Sequence, residues 1–158
     1  MGAMEMPKTG PEHERLLAFV GDWQGDEELA PSAWGPGGLA FGRMSFRSDL
    51  DGFAVIQEYI EQKESRITFR GHGVFTVDPQ SKDILWYWFD SFGFPPDGPA
   101  RGRFDGEVLT LTRVSPRAEA RYTYLISPDS CQFSIENKFP GDADFKRFMS
   151  GKYARKVD

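Results

Sequence analysis

Ile84-Leu85-Trp86-Tyr87-Trp88-Phe89 is the stretch that decides the fold. Rings at every second position place large apolar surface on one side of a pleated strand, and a sheet of such strands closed on itself builds an aromatic interior. Arg121-Tyr122-Thr123-Tyr124 repeats the pattern, and aromatic residues make up 15% of the chain, so the stretch represents the whole.

Around it, period-two runs predict strands over 23–29, 41–49, 53–62, 67–78, 84–91, 100–104, 107–114, 119–126, 131–138 and 145–155. Turn chemistry separates them: Asp51-Gly52 and Asp105-Gly106 are hairpin dipeptides, and Asp78-Pro79 and Ser127-Pro128-Asp129 break the ladder. Nothing between the runs has room for a crossover helix, so neighbours are antiparallel in an all-β meander of about ten strands. A flat sheet would leave two exposed edges, whereas a closed barrel pairs them and encloses the rings. A two-sheet sandwich predicts the same alternation and is the alternative. One short helix precedes the strands: Pro11 suits a first helical position, Glu12 and Glu14 favour the positive end, and Leu16, Leu17, Phe19 and Val20 form an apolar stripe before Gly21. Residues 1–10 lack periodicity and read as a disordered lead to a single domain over 11–158.

Composition narrows the function classes. A net charge of −5 without basic runs argues against nucleic acid and anionic membrane surfaces as partners. Cys131 is the only cysteine, so no intramolecular disulfide and no cysteine-based metal site can form within one chain. No secretory leader pattern and no run approaching the roughly 20 apolar residues that span a bilayer is present, and a cytoplasmic location is expected.

Candidate site residues follow from the alternation. Phe75 belongs to the apolar set Ile67, Phe69, Gly71, Gly73, Phe75 and Val77, which puts His72 on the opposite, polar face with Arg70 and Thr76, unless a bulge at a flanking Gly turns it inward. His13, between two glutamates, reads as a surface residue. Trp86, Trp88 and Asp90 share one face; an internal Asp90 carboxylate would need a partner such as Arg101, Arg103 or Arg147, or would simply cap the loop that follows. Tyr122 and Tyr124 point inward with Ala120, either anchoring a ligand's polar group or bonding to backbone, and Phe133 shares its face with Cys131, a small core residue. Trp34, Phe92 and Phe94 lie in loops, as a lid over one barrel mouth, a seal, or a homodimer patch.

The order Pro11-Glu12-His13, Leu16, Val20-Gly21-Asp22-Trp23, Asp51-Gly52-Phe53, Gly71, Gly73, Asp78, Trp88, Asp90-Ser91, Leu109, Leu111, Tyr153 and Arg155 resembles the bacterial family called domain of unknown function 1579 over residues 11–155. The resemblance implies a lipocalin-like, or calycin-like, barrel plugged by its first helix, and implies no activity. Gly21, Trp23 and Gly25 also resemble the opening of nitrobindin, a haem barrel, but Glu27 replaces its next glycine and no histidine follows His72, so the family's haem ligand has no counterpart. No cofactor is expected. The leading expectation is therefore a carrier or sensor enclosing one small apolar ligand. The alternatives are a barrel enzyme, either a haem-dependent isomerase through His72 or a cyclase or hydrolase with Asp90 as base, and a filled barrel serving as an interaction module.

Overall fold

The computed structural model describes residues 4–33 and 35–157. Ten antiparallel strands form a closed barrel in simple meander order, with β1 pairing β10 to complete the circle. They are β1 (Gly21–Leu29), β2 (Gly38–Asp49), β3 (Ala54–Lys63), β4 (Arg66–Val77), β5 (Ile84–Asp90), β6 (Ala100–Asp105), β7 (Val108–Val114), β8 (Glu119–Ile126), β9 (Ser130–Lys138) and β10 (Lys146–Arg155). Each predicted strand is present, with ends displaced by up to three residues. The largest displacement is at β2, which starts at Gly38 because Leu39 and Ala40 pair with Glu28 and Glu27.

The helical stripe resolves into two pieces, α1 (Pro11–Leu16) and a 3-10 turn over Leu17–Phe19. That tighter turn swings Phe19 inside, where it is fully buried, and leaves Leu17 exposed. Phe19 stacks on Phe75 at 5.4 Å between centroids and meets Tyr124 edge-on at 5.1 Å, so one side chain from the plug fills the lower barrel. Trp23 lies beside it, its indole N–H donating to the Phe19 carbonyl at 2.9 Å. Two arginines fasten the plug from outside. Arg155 lies over the Trp23 ring at 4.2 Å and donates to the Val20 carbonyl at 2.6 Å, while Arg15 lies over Phe104 at 4.6 Å and donates to the Gly106 carbonyl.

His13 corrects the surface assignment. It is 8% exposed, accepts the Gly10 N–H on Nδ1 at 3.0 Å, and meets Phe53 edge-on. Glu14 is exposed and Glu12 half-buried while the imidazole between them is buried, and burial lowers its pKa.

The wall has one discontinuity. β6 reaches only Trp86 on β5 and Thr112 on β7, so Tyr87–Asp90 pair with β4 alone and Arg113–Val114 with β8 alone. This rift sits at the end of the barrel opposite the helix.

Candidate functional site

Ten strands enclose more space than side chains of an eight-stranded barrel can fill, and the plug occupies only one end. The other end is hollow: a cavity of about 460 Å³ opens there, lined by rings and a few polar groups. Of the residues singled out from sequence, Trp86, Trp88, Asp90, Tyr122, Tyr124, Phe133 and Phe92 all face it. Phe75 does not. It lies one layer deeper, fully buried and stacked between Phe19 and Trp86, because the plug reaches up to meet it. Phe94 lies outside the lining, half exposed, with the Arg117 guanidinium 5.3 Å from its ring, and Trp34 lies outside the described residues.

The floor is a layer of crossed rings. Trp86 meets Tyr122 edge-on at 4.9 Å, and Tyr124 packs on Phe133 at 4.4 Å. Polar atoms here are satisfied from within: the Trp86 indole N–H donates to Gln57 Oε1 at 3.2 Å, and the Gln57 amide reaches Tyr124 Oη at 3.5 Å. Two glycines keep the space open. A Cβ at Gly71 would overlap the Trp88 ring, and one at Gly73 would come within 2.6 Å of the Trp86 indole nitrogen, so both indoles recline against bare backbone of β4.

Asp90 takes neither Arg101, Arg103 nor Arg147 as partner. Arg101 and Arg103 turn outward to Asp78 and Asp83, and Arg147 is exposed. The Asp90 carboxylate instead accepts the Trp88 indole N–H at 2.9 Å and the Phe92 backbone N–H at 3.0 Å, so it locks a cavity ring and caps the loop at once. His72 is exposed on the outer face, out of reach of the interior, which removes the haem reading that depended on it. Cys131 is fully buried, and burial pushes its thiol up to about 12, leaving it protonated and unreactive.

A second polar group escaped the sequence reading. Glu27 is completely buried, and both Tyr59 Oη, at 2.7 and 2.8 Å, and Tyr153 Oη donate to its carboxylate. Burial raises its pKa to about 7, partly opposed by the two phenols, while the neighbouring Glu61 charge raises it further. Tyr59 and Tyr153 themselves line the cavity, so this cluster forms its inner wall on β1, β3 and β10. Glu61, only 7% exposed, accepts the Thr68 hydroxyl at 3.1 Å and lies 4.0 Å from the Lys63 ammonium. The signal was available: Trp23, Gly25, Glu27 and Leu29 share one face of β1.

A closed ten-stranded meander with a helical plug at one end and a ring-lined hollow at the other defines a calycin-like barrel. The model of DUF1579, a protein family of unknown function, matches residues 8–155, and the chain belongs to that family. No curated protein matches the sequence significantly. Among solved structures, the chain is similar to Rv2717c from M. tuberculosis, with a TM-score of 0.66 and 12% identity over 95% of this chain and 100% of that one. It is also similar to the S-type phycobiliprotein lyase CPES from Guillardia theta, with a TM-score of 0.63 and 10% identity over 92% of this chain and 91% of that one. At these identities the likeness is one of fold. Among the described residues, no group of three or more His, Cys, Asp or Glu side chains could hold a metal ion, and no helix is long and apolar enough to cross a membrane.

Proposed function

We propose that the protein is a carrier or sensor that encloses one small, largely apolar, flat ligand in the hollow half of the barrel, within the cytoplasm. The observation that carries this reading is the cavity of about 460 Å³, a volume within the roughly 300–1,000 Å³ typical of small-molecule sites. Crossed rings suit a planar apolar body, since stacked and edge-on contacts add to the burial of area. The barrel fold is shared with a phycobiliprotein lyase, and this supports the reading by analogy of fold. The rift between β5 and β7 supplies an entrance beside the Phe92 loop, and the lone, deeply buried Cys131 suits a reducing compartment.

The test is native mass spectrometry of gently purified protein, followed by titration with a panel of fatty acids, flavonoids and porphyrins while tryptophan emission is recorded. Trp86 and Trp88 line the hollow, so a bound ring system quenches them, and micromolar affinity for at least one class is expected. No binding at micromolar concentration by any class, with no co-purified mass, overturns the proposal.

A further inference from the structure

The wall formed by β7, β8 and β9 is graded from apolar to polar along the barrel axis. Register places Leu109, Tyr124 and Phe133 on one rung, Leu111, Tyr122 and Ile135 on the next, and Arg113, Ala120 and Asn137 on the rung at the mouth. All three rungs face inward, and the outermost has a small residue between two hydrogen-bond donors. Arg113 and Asn137 both line the cavity, and among the described residues neither side chain has a hydrogen-bond or ion-pair partner.

The other charges at the mouth are engaged. Asp90 accepts from Trp88 and Phe92, and Glu61 is held by Thr68 and faces Lys63. Arg113 is thus a half-buried guanidinium without a protein acceptor, positioned where β6 fails to cover β7. A guanidinium presents a planar fork of donors that matches a carboxylate or related oxyanion in two parallel bonds, and partial removal from water strengthens them. Below it, Tyr122 lines the same space, near enough for its phenol to feel the Arg113 and Asp90 charges.

Resting on the ligand-binding reading above, we infer that the ligand is an amphipathic anion: its flat apolar body enters first to lie among Trp86, Trp88, Tyr122 and Phe133, and its oxyanion stays at the rim on Arg113 and Asn137. Ala120, in register between them, contributes only a methyl group to that rung.

A matched pair of probes separates the head site from the hollow: anilinonaphthalene sulfonate and its uncharged analogue N-phenyl-naphthylamine, which share one ring system. Energy transfer from Trp86 and Trp88 reports whether each probe sits inside. The intact protein is expected to bind both, the sulfonate more tightly. Arg113→Gln is expected to weaken the sulfonate by about tenfold or more, the scale of a lost charge-assisted pair, while the neutral probe changes by less than about twofold. Arg113→Lys, which keeps the charge but loses the fork, falls between, and Arg117→Gln, outside the lining, changes neither. Equal effects of Arg113→Gln on both probes, or no effect on either, overturn the anion seat while binding of the neutral probe leaves the hollow standing. Failure of the intact protein to bind either probe while a panel ligand binds overturns the anion seat alone, and failure to bind the probes and every panel ligand overturns both readings.

Discussion

Glu27 is the residue whose surroundings have the clearest consequence in solution. Burial pushes its carboxyl up to about 7 from an ordinary 4.5, so the neutral form is the one the barrel accommodates and ionisation opposes folding. The sign follows from linkage: this group's favourable contribution is complete below pH 4.5 and is lost as pH rises through 7, a change of about 3 kcal/mol. Urea denaturation at a series of pH values is expected to show that decline in the native protein and its absence in Glu27→Gln. At the same scale, Gly71→Ala is expected to cost about 1–3 kcal/mol, the range for overpacking, because the added methyl overlaps the Trp88 ring and drives the indole into the hollow. Denaturant midpoints and the affinity for N-phenyl-naphthylamine are expected to fall together in that variant. What sequence hid at this scale was orientation within charged runs. Asp26-Glu27-Glu28 looks like a solvated strand face, yet the period set by Trp23 sends the middle carboxyl inside, and Glu12-His13-Glu14 conceals a buried imidazole in the same way.

Among the elements, strands were legible because a half-buried ladder imposes a period of two that local side chains cannot avoid. The helix was legible at its start, where Pro11 and the two glutamates are local signals, and not at its end, where packing of Phe19 against Phe75 and Tyr124 tightens the last turn. Phe19→Ala is expected to cost about 3–5 kcal/mol, as for other fully buried rings, read from denaturant unfolding. Trp23→Ala falls in the same range, since that ring is 1% exposed and the loss removes its transfer energy and leaves a void. Trp88→Ala is expected to cost clearly less, because one side of its half-buried indole borders the cavity and not packed side chains. Arg155 belongs to this scale too: a residue near the C-terminus holds the first helix, so the plug is fastened by the strand that closes the circle.

For the whole molecule, closure and antiparallel order could be argued from edge avoidance, whereas the division of the interior could not. A plug that fills half of a ten-stranded barrel and leaves half empty depends on where one phenylalanine comes to rest, and period-two alternation carries no depth along the barrel axis. Six of the residues singled out from the alternation face the hollow for that reason, joined by Phe92 from its loop, and Phe75, on the same inner surface, does not. Binding to the folded state alone also sets a global expectation. Ligand at a hundredfold excess over its dissociation constant stabilises by about 2.7 kcal/mol, and for a domain of this size that corresponds to a rise in Tm of roughly 5–10 °C, measurable by differential scanning fluorimetry.

The stretch from Tyr87 to Asp90 is a rim strand embedded in a closed wall: one flank is laddered to β4 and the other has no ladder partner. Amide hydrogens directed to that flank are expected to trade for deuterium far sooner than those of Ile84–Trp86, and an occupant lodged beneath them would slow the trade on those residues first. The breach in the weave is then both doorway and gauge, and peptide-resolved mass shifts over 87–90 would reveal occupancy without any label on the guest.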